Sequence, residues 1–204
     1  MTGVHVQCSP EAYCDWGVVG LRPWEELLAG EISGVCRRSG DRSDYQLLAF
    51  TKGGALVKKT ASVAEIIRDS ASFTMRGSNV RCDFHIDPGL WPAEVDRSQI
   101  SQVIQNLVLN ADQSMPSGGR MDVSAENVVR ETEEDLPRPP GQYIRITVRD
   151  QGAGISEADL TRIFDPYFTT KETGSGLGLA TAYAIVKNHE GHSRWSPSSD
   201  GDTL

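Results

Sequence analysis

Two asparagines one helical turn apart, Asn106 and Asn110, are residues whose spacing suggests chemistry. With Gln99 and Gln113 they share one face of a periodic segment. Amide oxygens side by side can hold a hydrated Mg²⁺ and the phosphate oxygens it bridges, because Mg²⁺ takes hard oxygen ligands and keeps several waters. A solvated polar face has the same composition. Further on, Asp150-Gln-Gly152-Ala-Gly154 follows a strand-like run. A carboxylate there can accept from the exocyclic amine of a purine while the glycines let backbone approach the ring; an ordinary Asp/Gly turn reads identically. Gly174-Ser175-Gly176-Leu177-Gly178 opens a helix. Exposed N–H groups at a helix N-terminus suit phosphate, though a hinge is the plain alternative. Phe164-Asp-Pro-Tyr-Phe168-Thr169-Thr170-Lys171 sets two aromatics around a proline turn, with a lysine close to the glycine loop. The aromatics can anchor the loop and the lysine can meet phosphate. No GxxxxGK[ST] occurs and no strand directly precedes Gly174, which sets aside a P-loop and a dinucleotide fingerprint.

These groups need elements to hold them. Ser62-Val-Ala-Glu65 is a capping box and predicts a helix through Ile66, Ile67 and Phe73 to about Arg76, ended by Gly77. Val80, Cys82, Phe84 and Ile86 alternate with polar residues, as in a half-buried strand. A short strand around Trp91 is placed at an edge by Pro92. Asp96-Arg-Ser-Gln99 starts a second helix, with Ile100, Val103, Ile104, Leu107, Val108 and Ala111 on one apolar stripe and Gly118-Gly119 after it. Strands are expected over 121–129 and 143–149, joined by a charged, proline-rich loop. Ser156–Asp159 predicts a short helix, and Leu179, Ala182, Tyr183 and Val186 the apolar side of a last one. Helices mixed with antiparallel-type strands make the class α+β.

Composition narrows the functions. The chain has 204 residues and a formal net charge of −8, a poor footprint for sequence-independent nucleic-acid binding. No apolar run approaches the roughly 20 residues of a membrane helix, and no signal-peptide pattern starts the chain. Cys8, Cys14, Cys36 and Cys82 form no CxxC pair, so reduced thiols in a cytoplasmic setting are expected.

In order and spacing, the four chemical segments resemble the catalytic, ATP-binding domain of sensor histidine kinases, within the GHKL ATPases. Asn106-Leu-Val-Leu-Asn110-Ala looks like the N box, Asp150–Gly154 the G1 box, Phe164–Lys171 the F box and Gly174–Ala180 the G2 box. The resemblance covers about residues 45–204. It implies a two-layer α/β sandwich, with a mixed, mainly antiparallel sheet, helices on one face, and ATP between helices and a lid. It implies that Asn110 binds Mg²⁺, that Asn106 lies by the phosphates with Gln113 nearby, and that Asp150 takes the adenine amine. Gly152, Gly154 and Ile155 line the base pocket. Thr169, Thr170, Lys171, Gly174, Ser175, Gly176, Leu177 and Gly178 form lid and phosphate grip, and Thr203 is a further adenine contact. Gyrase-type relatives carry Glu where Asn106 stands; an amide cannot activate water as a base, which favours phosphoryl transfer to a protein side chain over hydrolysis. Asn106 and Asn110 are accordingly the catalytic candidates, with ATP and Mg²⁺ as cofactors.

The resemblance also marks departures. None of His5, His85, His189 and His192 sits in an acceptor-like setting. The acceptor hairpin is therefore expected on another chain, with a response regulator as further partner. The expected division is an irregular segment 1–44, a remnant of the hairpin's second helix and linker at 45–59, and the ATP-binding domain at 60–204. Pro197 and its serine neighbours weaken the penultimate strand, and the closing strand of relatives is not evident, so an open sheet edge is expected. Two alternatives stay open: a non-catalytic module that binds nucleotide or a partner as a regulator, and a protein serine kinase of the same superfamily.

Overall fold

The computed structural model describes residues 3–5, 16–20, 56–130, 141–156, 158–171 and 174–194. The elements in chain order are β1 (Gly3–His5), β2 (Trp16–Gly20), β3 (Lys59–Ser62), α1 (Val63–Thr74), β4 (Val80–Ile86), β5 (Pro92–Val95), α2 (Arg97–Ser114), β6 (Gly119–Arg130), β7 (Gly141–Asp150), α3 (Gly178–Asn188) and β8 (His192–Arg194). The expected helix end at 46–54, the loop at 131–140 and Thr203 lie outside the described residues.

Alternation along β7 decides the layering. Ile144, Ile146, Val148 and Asp150 are buried, whereas Arg145 and Thr147 are half-buried and Arg149 is exposed. Met121, Val123 and Ala125 continue the apolar face on β6. Helices cover that face: α2 packs against β7, with α1 and α3 against α2. The opposite face carries ion pairs, Arg145 to Glu126 at 3.0 Å and Arg120 to Asp122 at 3.0 Å. The result is the expected two-layer α+β sandwich.

The main sheet has the order β4-β6-β7-β1-β2-β8, with β2 also paired to β7. The β6–β7 pair is antiparallel from Met121↔Asp150 to Arg130↔Gly141. β4 runs parallel to β6. β3 and β5 make a separate antiparallel ribbon, so Pro92 does stand on an edge.

The expectation of irregular chain before residue 45 is corrected at two places. β2 is antiparallel to β7, with Val18↔Ile146, and to β8, with Val18↔Ser193. β1 enters the same gap, parallel to β7 at Val4↔Ile144 and antiparallel to β2 at Val4↔Val19. The ladder groups of β7 thus find partners far upstream in sequence, whereas the stretch around Pro197, where an open edge is expected, lies outside the described residues.

Three local expectations also change. The segment after Ser156 is a series of turns, closed by Asp159 N to Ser156 O at 3.0 Å, Arg162 N to Asp159 O at 2.8 Å and Asp165 N to Arg162 O at 2.8 Å. Each bond spans three residues, so no α-helix propagates. Phe73 is 62% exposed, lying under the Arg76 guanidinium 5.4 Å away instead of in the core. Tyr183 turns from the core side of α3 toward Phe164, at a ring separation of 5.0 Å. Among the described residues no helix is long and apolar enough to cross a membrane.

Candidate nucleotide site

The site forms because two periodicities meet. Helix α2 buries Ile100, Val103, Ile104, Leu107, Val108 and Ala111, the full stripe expected from sequence. Its start is fixed by Asp96, whose Oδ1 accepts from Ser98 N at 3.0 Å and Gln99 N at 3.2 Å. Burial opposes ionisation of Asp96, but bonds from the Ser98 hydroxyl and the Gln99, Val57 and Ser98 amides hold its carboxyl below the ordinary range. With one stripe locked to the sheet, the adjoining face of α2 looks into a cavity of about 690 Å³, the size of a small-molecule site.

The cavity is lined by Asn106, Asn110, Gln113, Asp150, Gly154, Ile155, Thr169, Thr170, Lys171, Gly174, Ser175, Gly176, Leu177 and Gly178. The candidates from four separate segments therefore converge on one space. Gly152 is not part of the lining, and Gln99 points elsewhere: its Oε1 is buried with no hydrogen-bond partner in the structure. Gln102, four residues before Asn106, lines the cavity in its place, as does the 45% exposed Leu109. Counting i+4 and i+7 from Gln102 gives Asn106 and Leu109, so helical spacing carried the signal once the origin moved by three residues.

At one end of the cavity Asp150 is 1% exposed. It shares the parity of Ile144, Ile146 and Val148, so the pleat of β7 turns its carboxylate to the helix layer. Its Oδ1 accepts from Gly152 N at 2.8 Å and lies 2.8 Å from the Ser114 hydroxyl. Ser114, the last residue of α2, was not singled out in sequence. Gly152 acts by closeness: a Cβ there would sit 1.9 Å from Ser114 Oγ, so only glycine lets the turn cross the helix end.

At the other end, Lys171 Nζ donates to Asn110 Oδ1 at 2.7 Å, to Asn110 O at 3.2 Å and to Gln113 Oε1 at 3.2 Å. The glycine loop folds over this end. Tyr167 N donates to Gly176 O at 2.9 Å. Gly176 has φ +67°, and a Cβ on it would meet the Tyr167 carbonyl carbon at 2.3 Å. Behind the loop, Arg162 stacks 4.6 Å above Phe168 and Ile163 is buried. Phe164 and Phe168, the two aromatics expected to anchor the loop, are partly buried against the core, whereas Tyr167 is exposed. Gly178 opens α3 beside α2: a Cβ there would contact the Asn106 side chain at 3.9 Å.

The arrangement offers a buried acceptor for a base amine at one end, and amide oxygens, a lysine and loop N–H groups for phosphates and a cation at the other. Among the described residues no group of three or more His, Cys, Asp or Glu could hold a metal ion.

Residues 95–204 match the family model of histidine kinase-, DNA gyrase B- and HSP90-like ATPases, and the chain belongs to that family. It is 35% identical over 153 residues to the sensor kinase CckA of Brucella abortus, covering 72% of this chain and 16% of that protein. Among solved structures, the catalytic domain of histidine kinase ThkA has a TM-score of 0.53 and 28% identity, over 65% of this chain and 81% of that one. ThkA in complex with the response regulator TrrA gives a TM-score of 0.58 at 25% identity, over 76% of this chain and 42% of that one. The chain spans less than a fifth of the sensor kinase it matches.

Proposed function

We propose that the chain is the ATP-binding catalytic module of a cytoplasmic two-component sensor kinase, passing the γ-phosphoryl of ATP to a histidine on a separate helical hairpin. The observation that carries this reading is the polarity of the cavity, with buried Asp150 at one end and the Asn110, Gln113 and Lys171 cluster at the other. Adenine fits the first end, because the Asp150 carboxylate oxygen is an acceptor there and the adenine amine only donates. The polyphosphate fits the second.

The amide set suits Mg²⁺, since the oxygens of Asn110 and Gln113 already converge on a cation, the Lys171 ammonium. Asn110 would hold the metal, which when bound neutralises charge on the transferring phosphoryl group. Asn106 orients without abstracting a proton, so a bound water is not activated and hydrolysis is slow. The chain's own work is positioning and charge stabilisation. No histidine lies in α1, α2 or α3; His189 is buried and His85 pairs with Asp122 at 3.1 Å. These placements support an acceptor histidine other than His85 and His189, carried on the helical hairpin, with phosphate then moving to a response regulator.

Calorimetry with ATP and Mg²⁺ tests the pocket: Asp150→Ala is expected to weaken binding at least a hundredfold, and equal affinity in the two proteins counts against the assignment. Adding an acceptor hairpin and γ-labelled ATP tests transfer. Acid-labile label on the hairpin supports it; tight ATP binding with no label favours a regulatory, non-catalytic module.

A further inference from the structure

The Lys171 contact does more than anchor a loop. Its ammonium has three protons, and three amide oxygens of α2 receive them. The backbone around it is held for this reach: Lys171 N donates to Thr169 Oγ1 at 3.1 Å, and Gly174 N donates to Lys171 O at 3.3 Å. The oxygens it takes are those a hard cation would seek, so lysine and metal compete for one cradle. With a neutral residue at 171, those oxygens would face polyphosphate oxygens with no other cationic side chain among the described residues that line the cavity. Acceptor against acceptor disfavours binding until a metal bridges the two.

Resting on the nucleotide reading above, we propose that Lys171 is a built-in cation of the α2 amide cradle. It fills the cradle in the nucleotide-free chain, yields Asn110 when Mg²⁺ arrives with nucleotide, and stands in for the metal when Mg²⁺ is scarce. Nucleotide binding by this chain is therefore weakly dependent on Mg²⁺, and Lys171 is the reason.

The test compares ADP affinity in EDTA and in Mg²⁺ for the full chain, Lys171→Met and Lys171→Arg. The natural chain is expected to lose less than about tenfold on metal removal. Lys171→Met should lose at least about tenfold more than that, and Lys171→Arg, which keeps the charge, should stay near the natural ratio. Equal ratios in the natural chain and Lys171→Met overturn the stand-in role alone. No ADP binding in either buffer overturns the nucleotide reading and the stand-in role with it. Amine acetylation read by mass spectrometry supplies a measurement free of nucleotide. Lys171 should label at least about fivefold more slowly than the exposed Lys59 and Lys187, and Asn110→Ala should remove that protection. Labelling of Lys171 at the rate of the exposed lysines overturns the occupied cradle.

Discussion

Ser114 has one hydroxyl proton and two acceptors within reach, Ala111 O at 2.7 Å and Asp150 Oδ1 at 2.8 Å. That sharing ties the last turn of α2 to the Asp150 end of the cavity and fixes the direction of the Asp150 carboxylate. Ser114→Ala should therefore weaken ATP binding about fivefold, on the order of 1 kcal/mol for one lost hydrogen bond. It should also narrow the preference for ATP over GTP, because a less constrained carboxylate discriminates less; competition binding measures both. Gly152→Ala should be much worse than Gly154→Ala. The first drives a methyl into Ser114, whereas the second meets no atom within 4 Å and strains only a φ of +70°. Melting curves and ADP titrations of the pair give that ranking. Asp150 was legible in the sequence because it stands where alternation ends and glycines begin. Ser114 was not: a serine at a helix end reads as solvent-facing, and only the fold brings it under a turn from another strand.

Helix α2 shows what the sequence could and could not reveal at the next scale. Its apolar stripe and its Asp96 cap were both readable, since each is a local pattern of three to four residues. Its connection to α3 was not. Just after α3, His189 Nδ1 donates to Ile185 O at 2.9 Å, while its Nε2 accepts from Asp96 N at 3.1 Å. A backbone N–H can only donate, so the ring is neutral with its proton on Nδ1. Burial first, and Lys58 nearby, lower its pKa against the opposing pull of Ile185 O, Asp96 and Glu190. The unfolded chain then binds this proton more readily than the folded one. This contribution to stability is present above the unfolded value of about 6.5 and fades as pH falls below it. Urea unfolding at pH 7.5 and 5.5 should show the natural chain less stable at the lower pH, and His189→Gln should flatten that difference. Asp96 acts in a separate window: its lowered carboxyl gives stability above its unfolded value near 4 that is lost on further acidification. Asp96→Ala should cost about 1–2 kcal/mol at neutral pH through the lost cap. The turn series after Ser156 escaped sequence reading because a capping pattern says where a helix can start, not whether later residues continue it.

At the scale of the molecule, the sheet's far half is assembled from chain that carried no readable pattern. Three- and five-residue strands are too short for periodicity to show. Their place is set by the ladder of β7, which presents N–H and C=O groups that need partners. Deleting residues 1–20 should therefore lower the melting temperature and, by baring the edges of β7 and β8, promote association. Calorimetry with light scattering reads the two effects, and an unchanged melt in a monomeric product would show that β1 and β2 contribute nothing. The pairing also orders events in time. During synthesis β2 leaves the ribosome well before its neighbours Ile146 and Ser193. Until then β1 is the one described neighbour that β2 can pair with, and the edges that β7 and β8 later cover stay bare. Closure of this sheet thus waits on the synthesis of β7 and β8, and the interval before it is when the early strand most needs shielding from other sheet edges.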